Sequence, residues 1–156
     1  MILMARRILV LGYGNPGRGD DGLGPALAQM VEKMRIKGVT VRIDYQLTVE
    51  AACDVAECDM VIFADAAKFG DEPFFLQPTP AESTMGWSGH TLPPGAVLRL
   101  AQVLYNARPE AYVAGVRGYR FDEFSERLSE QAEINLNKAA EYLAEWLKTC
   151  EVSSGP

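Results

Sequence analysis

The chain has 156 residues, of which 48% are hydrophobic and 23% charged, and its formal net charge is −6. This length and composition suit one globular domain with a real core. The acidic balance argues against nucleic acid as the main partner and against docking on an anionic membrane, since both need a basic field. No run approaches the roughly eighteen apolar residues of a membrane span. The N-terminus MILMARRILV lacks the charged, apolar and small-residue order of a secretory signal. Cys53, Cys58 and Cys150 form an odd, widely spaced set without CxxC. They read as free thiols in a reducing compartment, not as a disulfide framework or a zinc knuckle. The expectation is a cytoplasmic monomer with one domain over 1–150 and a polar, frayed tail over 151–156.

Residues 7–11 predict a first strand, whose unbroken apolar run suits a parallel strand covered on both faces. Five glycines follow, at 12, 14, 17, 19 and 22, together with paired carboxylates, Asp20 and Asp21. From Leu23 the apolar positions 23, 26, 27, 30, 31 and 34 predict a helix closed by Lys37-Gly38. Val39–Tyr45 reads as a second strand. Residues 47–57 read as a short helix capped by Thr48. Met60–Ala64 reads as a third buried strand ending on Asp65. The alternation of strands and helices implies right-handed crossovers and a mainly parallel sheet of about five strands, an α/β fold.

The span 66–90 is rich in proline and glycine and suggests an edge strand at Phe74–Gln77 plus a long functional loop. Pro93-Pro94 opens a helix running to about Asn106. Ala111–Val116 is the next strand, and residues 118–127 are irregular. Ser129 caps a last helix reaching about Thr149.

Three features carry chemistry. His90, the single histidine, lies in the loop WSGHTLPP. A lone histidine is usually an ordinary surface residue, but a Gly- and Ser-bearing loop before a helix raises its interest. Asp65 ends a buried strand, where it is either satisfied by its own turn or delivered into a crevice. Of Asp20 and Asp21, one is explained by capping the next helix, which leaves the other over. Strands one and three of such a sheet can lie side by side, so Asp20 or Asp21 can meet Asp65, with His90 arriving from above. Two carboxylates and an imidazole suit a borderline divalent ion such as nickel or zinc. A competing motif is Gly12-Tyr-Gly14-Asn-Pro-Gly17, a GxGxxG after a strand, with Asp44 placed as a ribose-binding acid. Against it, Arg18, Gly19 and two aspartates intervene before the helix, and their charge would repel a pyrophosphate.

GYGNPGRGDDGLGP resembles the N-terminal signature of the hydrogenase maturation proteases, which trim the large subunit of nickel–iron hydrogenases. Gln46-Leu47-Thr48 with Glu50, VIFADAA, SGHTLPPGAVLRLA and Glu126-Arg127-Leu128-Ser129 are similar to further segments of that family, in order and spacing. The resemblance covers almost the whole chain. It implies a three-layer α/β/α fold and a nickel-recognising site at Asp21, Asp65 and His90. Asp20 stays open as the ligand in place of Asp21, because some members carry a glutamate at position 21. The implied partner is a nickel–iron hydrogenase large-subunit precursor, and the nickel is carried by that substrate. The expectation that follows is a site that is empty, or holds another divalent ion, when free. Asp21 or Asp65 acts as general base, or the metal polarises the carbonyl or acidifies a water. The chain has no GxSxG elbow and no HExxH. Cys53 and Cys58 fall on an apparent core helix, which argues against a thiol nucleophile. The alternatives are a nickel-binding chaperone that does not cut, and the nucleotide-binding domain.

Overall fold

The computed structural model describes residues 3–82, 91–122, 124–150 and 152–154. A short strand β1 (Leu3–Ala5) precedes β2 (Ile8–Tyr13), the strand formed by the first apolar run. A single 3-10 turn, Gly19–Gly22, leads into α1 (Leu23–Met34). Then follow β3 (Val39–Asp44), α2 (Ala51–Ala56), β4 (Met60–Ala67) and β5 (Phe74–Pro78). The chain closes with α3 (Pro94–Tyr105), β6 (Glu110–Arg117), α4 (Glu130–Cys150) and β7 (Val152–Ser154).

Five strands make the main sheet in the order β3-β2-β4-β6-β5. The first four run parallel, and β5 lies antiparallel on the edge beside β6. The apolar runs of β2 and β4 dictate this. Alternate residues of a strand face opposite sides, so a strand that is apolar throughout needs a cover on both. Ile8, Val10, Met60 and Ile62 pack with α1 and α4, while Leu9, Leu11, Val61 and Phe63 pack with α2 and α3. The result is the expected three-layer α/β/α arrangement. The chain winds from β2 to β3 on one side and from β4 to β6 on the other, so its direction reverses between β2 and β4. Their carboxyl ends open a crevice there.

Several boundaries differ from the sequence reading. Helix α1 ends at Met34 on a left-handed Arg35, not at Gly38. Gly38 instead brings the chain beside β2: its carbonyl accepts the Ile8 N–H at 2.9 Å, and a Cβ there would meet the Arg6 carbonyl oxygen at 2.8 Å. Helix α2 starts only at Ala51, and its N-terminus has no side-chain cap from Thr48 or any other residue. Strand β4 continues to Ala67 because β6 stays in register with it, from Asp65 opposite Gly115 to Ala67 opposite Arg117. Within the segment expected to fray, Val152–Ser154 pairs antiparallel with β1. Ser129 does cap α4, although its hydroxyl meets the Ala132 N–H at a long 3.4 Å.

Candidate active site

The glycine loop turns back on itself at Gly14. Its φ is +143°, and a Cβ there would sit 2.1 Å from the Asp21 carbonyl oxygen, so glycine is required. This close approach lets the Asn15 N–H donate to Asp21 Oδ2 at 2.7 Å. Asp21 is half-buried and faces the crevice between β2 and β4. Asp20 points the other way. It is fully buried and accepts from the Ser129 hydroxyl at 2.6 Å, the Ser129 N–H at 2.7 Å, the Tyr119 N–H at 2.7 Å and the Arg120 N–H at 3.0 Å. Such a saturated carboxylate is a structural staple. Of the two aspartates, Asp21 is the one that lines the crevice, while Asp20 is turned into the protein. Neither aspartate caps α1 through its side chain.

Asp65 occupies the carboxyl half of β4, one position beyond the buried Ala64. Its Oδ2 accepts from the Tyr13 hydroxyl at 3.0 Å. Burial pushes the Asp65 carboxyl up to about 6, against the Tyr13 hydroxyl and the Ala66 N–H, which favour its charged form. The Asp21 charge adds to the rise. Burial and the Asp65 charge together hold the Tyr13 phenol well above its ordinary value. Tyr13 escaped the sequence reading because an aromatic at the end of an apolar strand looks like core.

Asp21, Asp65 and Tyr13 share a cleft of about 550 Å³ with Gly14, Asn15 and Arg18 and with Tyr45, Gln46 and Thr91. Thr91 donates to the Gln46 side-chain oxygen at 2.7 Å. His90 lies outside the described residues, but Thr91, which is bonded to it, lines the cleft. Among the described residues no group of three histidine, cysteine or acidic side chains is arranged to hold a metal. The two carboxylates nonetheless fit a divalent cation: they are hard oxygen donors whose mutual repulsion a cation would relieve.

Cys53 is exposed on α2 rather than in the core, and Cys58 lies beyond the end of that helix. Burial pushes the Cys58 thiol up to about 11, which makes it a poor nucleophile, and neither thiol lines the cleft. Asp44 stands at the end of β3, as a ribose-binding acid would. The glycine loop, however, is no phosphate cradle, because its own chain consumes its N–H groups. Gly14, Gly19 and Asp20 donate to the carbonyls of Asp44, Ser125 and Arg120, and Arg18 and Asp21 donate to those of Asn15 and Arg18. Gly17 donates to the Asn15 side chain.

No protein-family model and no curated protein matches the sequence. Solved structures do match. Hydrogenase maturating endopeptidase HybD from E. coli is 23% identical, over 94% of this chain and 95% of that one, with a TM-score of 0.75. The nickel–iron hydrogenase maturation protease HycI from Thermococcus kodakarensis is 25% identical, over 92% of this chain and 94% of that one, with a TM-score of 0.72. A structure described as the hydrogenase 3 maturation protease is 19% identical, over 90% of this chain and 91% of that one, with a TM-score of 0.66.

Proposed function

We propose that this chain, which belongs to the fold family of the hydrogenase maturation proteases, is an endopeptidase acting on the large-subunit precursor of a nickel–iron hydrogenase. It removes the C-terminal extension after nickel has been inserted. The observation that carries this reading is the meeting of Asp21 and Asp65 in one cleft at the switch point of the sheet.

The substrate brings the nickel as cargo, and Asp21, Asp65 and His90 are its ligands on this side of the complex. Bound there, the metal supplies charge that polarises a carbonyl or acidifies a water. The chain's own contribution is a base and its orientation. In the metal-free site the Asp65 carboxyl, raised to about 6, is mostly ionised at neutral pH yet more basic than an ordinary carboxylate, which suits a general base. Asp65 takes the proton from the attacking water, oxygen bonds to the scissile carbonyl carbon, and the proton passes to the leaving amine as the C–N bond breaks. The Tyr13 hydroxyl donates to Oδ2 and so fixes the orientation of the carboxylate.

Tyr13→Phe removes the donor that favours the charged form of Asp65. The acid limb of the pH–rate profile is expected to move up by roughly half a unit to one unit, while the rate at pH 8.5 stays within about threefold. A rate profile against pH checks this, and a limb that does not move would separate Tyr13 from the base.

The proposed activity is tested by mixing the protein with nickel-loaded and nickel-free precursor and measuring product masses. The expected result is loss of a C-terminal peptide from the loaded form alone, abolished by Asp21→Ala and by His90→Ala. Binding without any change of mass would replace the peptidase with a chaperone that recognises but does not cut.

A further inference from the structure

A second cavity, of about 720 Å³, lies on the far flank of the glycine loop and shares Gly14 and Tyr45 with the catalytic cleft. The two cavities therefore adjoin at these residues. The apolar part of its lining comes from Pro16, Pro25, Ala26, Ile43, Tyr45 and Leu128. Tyr45 is 72% exposed and Ile43 38% exposed, so apolar surface stands open in a concave place. Among the described residues Asp44, Glu126 and Glu133 line it too, against a single cation, Arg127. Among the described residues none of these four forms an ion pair.

We propose that this second cavity binds an extended peptide segment of the substrate in which apolar side chains accompany lysine or arginine. The inference rests on the peptidase reading and adds the class of sequence that the enzyme grips beside the scissile bond. Adjacency to the cleft favours a chain-like occupant, because an extended ligand that passes Gly14 and Tyr45 reaches both spaces. Charge selects its sign: an occupant with cationic heads and apolar stems covers Ile43 and Tyr45 while meeting three unpaired carboxylates. A nucleotide fits poorly, because its phosphates would face those carboxylates and find the loop's N–H groups already used.

The test is fluorescence anisotropy with dye-labelled dodecapeptides: alternating valine–lysine, valine–glutamate and serine–lysine. The valine–lysine peptide is expected to bind at least about tenfold more tightly than either of the others, and to weaken as salt is raised. Glu126→Gln/Glu133→Gln, at two exposed positions, should erase the preference over valine–glutamate. Glu57→Gln/Glu141→Gln removes equal charge elsewhere and should preserve it. A preference that survives the first pair, or falls equally with the second, would overturn the proposal, as would displacement of the peptide by NAD or ATP. The two readings fail separately. Groove-dependent peptide binding without cleavage of the precursor would retain the groove and remove the peptidase. Cleavage with a KM unchanged by Glu126→Gln/Glu133→Gln would do the reverse.

Discussion

Asp65→Asn is expected to abolish cleavage and, at the same time, to make the protein more stable. The loss of activity follows from removing a positioned base, worth roughly 10²–10⁴ in rate. The gain in stability follows from the sign of the pKa shift. Burial holds the folded Asp65 carboxyl near 6, whereas an unfolded aspartate titrates near about 3.9. Between those values the folded state binds more protons than the unfolded state, so the stability contributed by this group falls as pH rises from about 4 to about 6. Above that window the fold carries a charged, poorly solvated carboxylate beside Asp21, at a cost on the order of 1–3 kcal/mol. Asparagine removes the charge and keeps an oxygen for the Tyr13 hydroxyl. At pH 7.5 the melting temperature should rise by roughly 3–6 °C, and at pH 4 it should barely change. Thermal melts at both pH values check this. An asparagine variant no more stable than the native chain at pH 7.5 would mean that Asp65 is not held against its charge, and the general-base role would lose its support.

The framework that positions this site was legible because its strands are extreme. β2 and β4 are buried on both faces, so their apolar runs do not depend on guessing a face. The placement of Asp65 was legible for the same reason, as the first acid after an uninterrupted run. Other features left weaker marks. The close of α1 was misread because Gly38 and a helix C-terminus both call for positive φ, and only the tertiary path separates them. β7 is three residues long, too short for any periodicity to register. The division between Asp20 and Asp21 was invisible for a geometric reason. They are neighbours in a 3-10 turn, where successive side chains point about 120° apart, so one can enter the protein as the other leaves it. Which one enters is decided by Ser129 and the Tyr119–Arg120 backbone, about a hundred residues away in the chain.

That distant set of partners makes Asp20 the residue on which the cleft's geometry depends. Asp20→Ala should lower stability by about 3–5 kcal/mol, because it strands three N–H groups and a hydroxyl in a place that water does not reach. The melting temperature should fall by roughly 10 °C or more. Asp20→Asn should cost less, about 1–3 kcal/mol, since one oxygen still accepts while the amide faces N–H donors. Asparagine thus has opposite signs at Asp20 and Asp65, and pH separates the two as well. Burial works to raise the Asp20 carboxyl, but the Ser129 hydroxyl and three backbone N–H groups hold it below the ordinary carboxylate range. Its stabilisation is therefore present above the unfolded pKa of about 3.9 and is lost as pH falls through the lower folded value. Urea unfolding of the native chain and Asp20→Asn should diverge at pH 7 and converge towards pH 2. Divergence that persisted undiminished at pH 2 would assign the cost to packing rather than to charge. Loss of this staple would also free the glycine loop from the start of α4 and from the segment after β6. Asp21 would then no longer be held opposite Asp65, so cleavage by Asp20→Ala should fall even below its melting temperature.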